Sequence, residues 1–315
     1  MIQKNASIFV AGAHGLVGSA VVEVIAQHGY TSLLTPSHSE LDLMDAAAVA
    51  QFYADHKPAY VIMAAARVGG IKANSTYPAD FLRENLVMQD NVIWQAHLSG
   101  VKKLLFLGSS CIYPREAQQP IKEEYFMTGP LEPTNEGYAV AKIAGMKLCE
   151  KIYEQYGTPF ISCMPTNIYG ERDHFDPERG HVIPALIRRM HEAKVSGASE
   201  VVVWGTGNAR REFLHARDLA EAVVFLMESY DKKEFLNVGT GEDIAIRDLA
   251  ELIKETIGYQ GALVFDTSKP DGMPRKLLDV SALRALGWQP TITFKEGLAQ
   301  AYDWYLAHDT SVSAQ

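Results

Sequence analysis

Cysteine is scarce in this sequence, and its spacing argues against two common uses of the residue. Among 315 residues there are three cysteines, Cys111, Cys149 and Cys163. An odd and sparse set does not suit a disulfide framework, and no CxxC pair suggests zinc. We therefore expect no metal site, and the thiols are either packing residues or chemical groups.

Positive charge and long apolar runs are also lacking. The formal net charge is −9, so the chain has no basic footprint for nucleic acid or for an anionic membrane. No apolar run approaches the roughly 20 residues that a membrane-spanning helix needs. The first residues, MIQKNASIFVAGAHG, lack the apolar core of a signal peptide. We expect a cytoplasmic protein that binds neither nucleic acid nor membrane.

Strand and helix signals alternate through the first half of the chain. Helical patterns are closed by Gly29 and Gly100, and Asp45 is a good N-cap for a further helix. Such alternation predicts an α/β fold with a Rossmann-type doubly wound parallel sheet. The strand-like runs cover residues 6–12, 31–35, 60–66, 102–110 and 159–170, the last running into a loop, and the helical patterns begin near residues 16, 45, 77 and 134.

The strict alternation ends after Gly170. The charged, turn-rich segment ERDHFDPERG follows, and later helical and strand-like pieces do not alternate regularly. We predict a smaller α/β substrate-binding lobe that is interwoven with the last strands of the sheet. The predicted dinucleotide-binding domain covers residues 1–165 and about 212–242, and the lobe covers about 166–211 and 243–315.

A glycine-rich loop follows the first strand. Gly12, Gly15 and Gly18 have GxxGxxG spacing and open a helix. Glycines at these points let the backbone turn tightly and approach a pyrophosphate, which rests on the helix N-terminus. A glycine triplet alone also suits a tight turn, but this strand–loop–helix setting favours dinucleotide binding.

The end of the second strand bears on the choice of cofactor. An acid there would bind the ribose 2′-hydroxyl of NAD, and its absence leaves room for the 2′-phosphate of NADP. Ser37, His38 and Ser39 come first here, and Glu40 only afterwards. The pattern mildly favours NADP, although these residues would equally suit an ordinary polar loop.

Three further residues form a catalytic pattern. Tyr138 and Lys142 are four apart in a predicted helix and share a face, and Ser109 lies at the carboxyl end of the fourth strand. A tyrosine can donate a proton to a carbonyl that accepts hydride, a lysine can stabilise the tyrosinate and hold the nicotinamide ribose, and a serine can bind the carbonyl oxygen. A surface Tyr–Lys pair is the alternative.

With these motifs the chain resembles the extended short-chain dehydrogenase/reductase family. Its longer strings are similar to those of the branch that converts GDP-4-keto-6-deoxy-D-mannose to GDP-L-fucose, over about residues 6–306. The strings are AAARVGGIKANSTYPADF, FLGSSCIYP, LEPTNEGYAVAKIAG, MPTNIYG, HVIPALIRR, VVVWGTG, REFLH and SKPDGMPRKLLDVSAL.

The resemblance implies two reactions in one site. C3 and C5 of a 4-keto sugar are first inverted through an enediolate, and C4 is then reduced with NADPH. It assigns Cys111 as the base and His181 as the acid of the epimerisation. Position alone leaves Cys111 open to an inert packing role, as we expect for Cys149 and Cys163, and leaves His181 open to a structural one.

The resemblance also implies the ligand contacts and a homodimer. The substrate, a GDP-linked sugar, is assigned to Asn167, Arg189, Trp204, Arg211 and Asp271. The cofactor is assigned to Gly12, His14, Gly15, Leu16, Val17, Gly18, Ser37, His38, Leu41, Ala64, Ala65, Leu107, Gly108, Lys142, Pro165, Thr166, Asn167, Ile168 and His181. Bacterial members lead us to expect a basic residue where His14 stands and an arginine near Ser37 or His38, and both are missing here.

Two rival functions remain at this stage. One is another nucleotide-sugar enzyme of the same family, such as a 4-epimerase or a 4,6-dehydratase. A dehydratase would need an acid near the tyrosine, where this chain has Cys111. The other is a non-catalytic dinucleotide sensor, against which the intact Ser109, Tyr138 and Lys142 argue.

Overall fold

The computed structural model describes residues 2–177, 180–269 and 271–308. Its strands are β1 Ile8–Ala11, β2 Leu33–Leu34, β3 Tyr60–Met63, β4 Lys103–Leu107, β5 Phe160–Pro165, β6 Asn167–Tyr169, β7 Glu200–Trp204, β8 Arg210–Arg211, β9 Phe213–His215, β10 Leu236–Val238, β11 Ile244–Ala245, β12 Ala262–Asp266 and β13 Arg275–Lys276. Its α-helices are α1 Leu16–Gln27, α2 Ala46–His56, α3 Ile71–Thr76, α4 Pro78–Leu98, α5 Glu136–Tyr156, α6 Val182–Ser196, α7 Ala216–Ser229, α8 Ile246–Ile257, α9 Ser281–Ala285 and α10 Phe294–His308.

A six-stranded sheet in the order β10-β5-β4-β3-β1-β2 forms the centre of the fold. Every pairing in it is parallel. Strand β2 lies on one side of β1, and β3 lies on its other side. The connections from β1 and β3 therefore run in opposite directions across the sheet, and the carboxyl ends of these two strands form a topological switch point. Ligands of open α/β sheets bind outside the carboxyl ends of the strands at such a point. The doubly wound parallel sheet expected from the sequence is confirmed.

Helices cover both faces of this sheet because its strands are apolar on both sides. Ile8 and Val10 of β1 belong to a core cluster with α1 and α7, and Phe9 and Ala11 belong to another with α2, α4 and α5. Successive strand residues point to opposite faces, so one short apolar strand contributes to two cores.

The helix ends follow the signals in the sequence. The Asp45 carboxylate accepts hydrogen bonds from the backbone N–H groups of Ala47 and Ala48, which caps α2 as expected. Gly29 follows the end of α1 with φ +83° and Gly157 ends α5 with φ +72°, a left-handed conformation that favours glycine.

A smaller set of elements builds a third core. Helices α6, α8 and α10 pack with β7 and β12, which pair in parallel. The short strands β11, β8 and β13 form a three-stranded sheet, and β6 pairs with β9. The residue boundaries predicted for the two domains remain a prediction.

The structure corrects the sequence interpretation at two points. The run 159–170, predicted as one strand running into a loop, is divided: β5 ends at Pro165, and residues 167–169 form β6, which leaves the central sheet and pairs with β9 in register Asn167 to Phe213. Helix α3, which was not expected, forms after Gly70. Both elements are short and depend on contacts with distant parts of the chain.

Candidate active site

The loop between β1 and α1 is the first element of the site. Gly12 has φ +84°, and Gly15 directly precedes α1. A Cβ on Gly18 would overlap the carbonyl oxygen of Gly12 and would lie 2.6 Å from its carbonyl carbon. The loop thus packs directly on the first turn of α1, and the unpaired N–H groups of that turn are left for an anion.

Small residues continue along the carboxyl edge of the sheet. Ala64 and Ala65 follow β3, and a Cβ on Gly12 would lie 2.7 Å from the Cα of Ala65. Gly108 follows Leu107 at the end of β4, and a Cβ there would overlap the sulfur of Met164. The predicted cofactor residues after β1, β3 and β4 therefore lie along one edge of the sheet, where glycine and alanine let neighbouring segments pack closely.

The remaining predicted cofactor residues lie at the ends of neighbouring elements. Leu16 and Val17 open α1, Leu41 is buried in the core beyond β2, and residues 165–168 join β5 to β6.

The polar segment after β2 is ordered by its own hydrogen bonds. Both the backbone N–H and the hydroxyl of Ser37 donate to Glu40 Oε2, each at 2.7 Å. These bonds hold the pKa of the Glu40 carboxyl below its usual range. His14 Nε2 lies 3.1 Å from the carbonyl oxygen of Thr35. Glu40 is thus engaged by Ser37, and His38 is exposed beside it.

Ser109, Tyr138 and Lys142 come together at the end of β4. Ser109 follows Gly108, and its side chain is hydrogen-bonded to the phenol of Tyr138 on the first turn of α5. One turn further on, Lys142 Nζ donates a 2.8 Å hydrogen bond to the carbonyl oxygen of Leu107 and lies 5.8 Å from the Tyr138 ring centroid. The predicted set of three is therefore one cluster.

Burial sets the protonation of this cluster. It raises the pKa of Tyr138, the nearby Cys111 raises it further, and the hydrogen bond with Ser109 lowers it. Lys142 is 3% exposed, and burial lowers the pKa of its ammonium to about 8. The phenol of Tyr138 thus stays protonated and can donate its proton. The Lys142 ammonium gives up its proton more readily than the ammonium of a surface lysine does.

Cys111 adjoins the same cluster. Ser109 Oγ accepts a 3.2 Å hydrogen bond from the backbone N–H of Cys111 and so fixes the short turn that carries the thiol. Asn135 Nδ2 lies 3.1 Å and Lys276 Nζ 3.6 Å from the sulfur. These groups line a cavity of about 30 Å³. Cys149 and Cys163, by contrast, are fully buried, and burial raises the pKa of each thiol to about 12.

His181 is exposed directly before the first residue of α6. It lies close enough to Asp173 for their charges to interact, although burial raises the pKa of that carboxyl overall. Asp173 Oδ1 accepts a 2.7 Å hydrogen bond from the His174 backbone, and its buried Oδ2 has no hydrogen-bond partner among the described residues.

Hydrogen bonds to Glu212 hold the segment between β5 and β6 in place. The side chains of Thr166 and Asn167 both donate to the Glu212 carbonyl oxygen, at 3.2 and 2.7 Å. The fully buried Glu212 carboxylate accepts from the backbone N–H groups of Gly241 and Leu278. One residue thus ties the β5–β6 segment to the ends of β10 and β13.

Four of the predicted substrate residues form two contacting pairs, and the fifth, Asn167, is the one bound to Glu212. The Arg189 guanidinium lies 5.2 Å from the centroid of the Trp204 ring, which is 45% exposed. Arg211 donates to the backbone oxygen of Asp271 at 3.2 Å, and the Asp271 carboxylate binds the backbone and hydroxyl of Thr206. An aromatic face and two guanidinium groups suit a nucleotide diphosphate.

Three residues near the site were missed by reasoning from the sequence. Lys276 and Asn135 contact Cys111, and Lys269 Nζ lies 5.9 Å from the Trp204 ring centroid. No local pattern marks them, because their partners are distant in the chain. In the part of the chain that the structure describes, no group of three His, Cys, Asp or Glu side chains could hold a metal ion. No helix within the described ranges has the length and hydropathy of a membrane span.

Comparison with known proteins identifies the family. The model of the NAD dependent epimerase/dehydratase family matches residues 8–239, most of the chain. The chain belongs to this family. A protein of Arabidopsis thaliana named putative GDP-L-fucose synthase 2 is 59% identical over 306 residues, which cover 97% of this chain and 93% of that protein.

Two further relatives place the chain within the epimerase/dehydratase family. The GDP-L-fucose synthase of Escherichia coli K12 is 51% identical over 308 residues, covering 95% of this chain and 96% of the relative. The solved structure of a GDP-mannoheptose C4 reductase from Campylobacter jejuni with NADP bound has a TM-score of 0.89 and 39% identity, covering 97% of this chain and 99% of that one. The resemblance inferred from the sequence is confirmed.

Proposed function

We propose that this protein converts GDP-4-keto-6-deoxy-D-mannose to GDP-L-fucose, by 3,5-epimerisation and then NADPH-dependent reduction at C4. The observation that carries the proposal is the single cluster of Ser109, Tyr138, Lys142 and Cys111. Tyr138 is hydrogen-bonded to Ser109 and interacts with the charge of Cys111. This proximity supports the assignment of Cys111 as the base that removes a proton from carbon, next to Ser109 and Tyr138, which would bind the carbonyl oxygen.

In the epimerisation, Ser109 and Tyr138 bind the C4 oxygen. When Cys111 removes the proton from C3 or C5, the electron pair of the C–H bond moves toward that oxygen. The negative charge develops where two hydroxyl donors already point, which lowers the barrier. His181 delivers a proton to the opposite face of the ring, and the configuration inverts.

In the reduction, the same two donors hold the same oxygen. NADPH would supply the hydride to C4 when bound. Tyr138 donates its proton to the C4 oxygen, because burial keeps the phenol protonated until the oxygen becomes basic. The buried Lys142 ammonium then stabilises the tyrosinate.

The chain's own backbone fits a dinucleotide. A Cβ on Gly12 or Gly18 would meet neighbouring backbone, so glycine at both positions lets the loop lie tightly against the first turn of α1, whose N–H groups would face a pyrophosphate. Gly12, Gly15 and Gly18 would hold the pyrophosphate, Ser37 and His38 the 2′-phosphate, and Lys142 the nicotinamide ribose. Two similar proteins have been solved with NADP bound, and a third in the presence of NADPH.

The GDP moiety would lie against the pairs Arg189–Trp204 and Arg211–Asp271. Arg211 and Arg189 would bind the diphosphate, and the exposed face of Trp204 would pack on the base or the sugar. Asn167, joined to Glu212, would contact the sugar.

We also propose a cytoplasmic homodimer. Trp94, Leu98 and Tyr156 are exposed apolar residues at one end of the packed helices α4 and α5, and His97 contacts the Tyr156 ring at 4.1 Å between centroids. A second copy would cover this patch. The three thiols are free, which suits a reducing compartment. Light scattering gives the oligomeric state directly.

Turnover of the purified full chain tests the function. GDP-4-keto-6-deoxy-D-mannose and NADPH are mixed with enzyme, NADPH absorbance is followed, and the product is identified by NMR. GDP-L-fucose supports the proposal. A reduced product without inversion would instead make the protein a C4 reductase. No loss of NADPH would favour a 4-epimerase, a dehydratase or a dinucleotide sensor. Tyr138→Phe is the matched control for background oxidation.

A further inference from the structure

Lys276 lies on the short strand β13, far from the other active-site residues in the chain, yet its side chain reaches Cys111. Its Nζ lies 3.6 Å from the sulfur, and the two residues are 165 positions apart. A lysine ammonium has donors and no acceptor, so the sulfur is the acceptor in this contact. Lys276 forms no ion pair with a carboxylate in the described ranges, which leaves its charge directed to the thiol.

Asn135 also approaches the same sulfur. Its Nδ2 lies 3.1 Å from the sulfur. Two donors directed at one sulfur suit a thiolate, because a thiol accepts hydrogen bonds only weakly. Asn135 lies directly before α5 and three residues before Tyr138, so one helix start positions both the thiol and the proton donor.

The other charges around Cys111 do not cancel this effect. Glu132 lines the same small cavity, but its Oε2 lies 3.5 Å from Arg115 Nε, and Arg211 is close enough to interact with its charge. Tyr138, on α5, remains neutral because burial raises its pKa. Among the described residues that contact the sulfur, Lys276 is therefore the cation without a paired carboxylate.

We propose that Lys276 is a positioning residue that holds Cys111 as a thiolate for proton abstraction, a proposal that rests on the function given above. The thiolate takes the proton from C3 or C5 and becomes a thiol, and the electron pair of the C–H bond moves to the C4 oxygen. Lys276 keeps its own protons throughout. It acts only by favouring the negative charge on sulfur before the step.

Lys276 can be replaced without removing the strand that carries it. Strand β13 pairs in parallel with β8, and the Lys276 carbonyl oxygen accepts a hydrogen bond from the Glu212 backbone at 3.3 Å. These are main-chain contacts, which Lys276→Met and Lys276→Arg retain. Lys122→Met is the matched control, since Lys122 is half-exposed on a nearby segment and pairs with Glu124 at 3.9 Å.

The test is the rate at which iodoacetamide alkylates Cys111 in the full chain, followed by peptide mass spectrometry over a range of pH. We expect Lys276→Met to slow alkylation about tenfold at pH 7, since a neighbouring ammonium raises the thiolate fraction by roughly that factor. The rates of wild type and variant should converge at strongly alkaline pH. Lys276→Arg should retain most of the rate, Lys122→Met all of it, and Cys111→Ser should show no labelling at this position.

Each other outcome has a definite meaning. Equal rates and equal pH profiles in wild type and Lys276→Met would overturn the proposal. A rate that rises equally at every pH would mean that Lys276 only blocks access, and this would overturn it too. Alkylation needs no substrate, so it tests Lys276 independently of the proposed reaction. If Lys276→Met slows alkylation but the wild type exchanges no C3 or C5 protons, the role of Lys276 stands and the proposed epimerisation is rejected.

Discussion

Lys142 Nζ donates a 2.8 Å hydrogen bond to the carbonyl oxygen of Leu107, the last residue of β4. This contact draws an ammonium into the core beneath Tyr138, where only 3% of the residue is exposed. Burial is the main influence on this ammonium and lowers its pKa to about 8. The site thus holds a charge that the folded protein disfavours.

The first prediction follows from the sign of that shift. The pKa of Lys142 is lower in the folded chain, about 8, than its ordinary value of 10.5. The charged side chain therefore destabilises the fold fully below pH 8, and the penalty fades as pH rises toward 10.5. Lys142→Met should be more stable than wild type at pH 7, and this difference should shrink by about 2 kcal/mol at pH 9.5. Chemical denaturation of the cofactor-free proteins measures it, and a difference independent of pH would contradict it.

The second prediction concerns the proton donor. Tyr138→Phe removes the phenol and leaves Lys142, Ser109 and the glycine loop in place. Reduction should slow by at least about 10²-fold, the usual range for a general acid. Fluorescence titration should show that NADPH affinity changes little. Near wild-type turnover in this variant would remove Tyr138 from the mechanism.

The third prediction separates two glycines of the loop. Gly18→Ala should destabilise the fold by about 1–3 kcal/mol, because its Cβ would meet the backbone of Gly12. A Cβ on Gly15 would lie 3.7 Å from the nearest atom, and its φ of −80° suits alanine. Gly15→Ala should therefore fold with nearly unchanged stability but bind NADPH at least tenfold more weakly, because its methyl group would stand at the helix N-terminus. Unfolding and binding titrations of both variants decide the point.

The fourth prediction concerns the choice between NADPH and NADH. Because Ser37 engages the Glu40 carboxylate, no free acid directly follows β2. NADPH should be preferred at least about tenfold in kcat/KM, and Ser37→Asp should reduce or reverse this preference by placing an acid at the ribose. The contrary result would be a wild-type enzyme without NADPH preference in which Glu40→Gln lowers kcat/KM for NADH. Glu40 would then be the residue that binds the 2′-hydroxyl.

Local signals in the sequence were sufficient for the sheet and its helices. Glycine endings, the Asp45 cap and short apolar strands are properties of neighbouring residues, and they gave the order of elements in the first half of the chain. The lobe was harder to predict. Strand β6 has three residues and exists because Phe213 to His215 pair with it, and no property of residues 167–169 alone distinguishes it from a loop.

The same limit applies to the site. Ser109, Tyr138 and Lys142 could be predicted together because a strand end and a helical i, i+4 spacing bring them to one edge. Lys276 could not, because its place beside Cys111 depends on the pairing of β13 with β8, and Arg211 and Asp271 meet through the same part of the fold. Contacts between distant segments are fixed by packing and not by spacing in the chain.

Deuterium exchange at C3 and C5 of the 4-keto sugar tests most directly whether the site that reduces C4 also inverts C3 and C5. NMR in deuterated buffer, with NADPH withheld, should show exchange at both carbons in wild type. Cys111→Ser should abolish it while NADPH still binds, and His181→Asn should retain some exchange but lose the inverted product. Exchange and inversion at wild-type rates in Cys111→Ser would contradict the assignment, make this thiol a packing residue and require another base in the site.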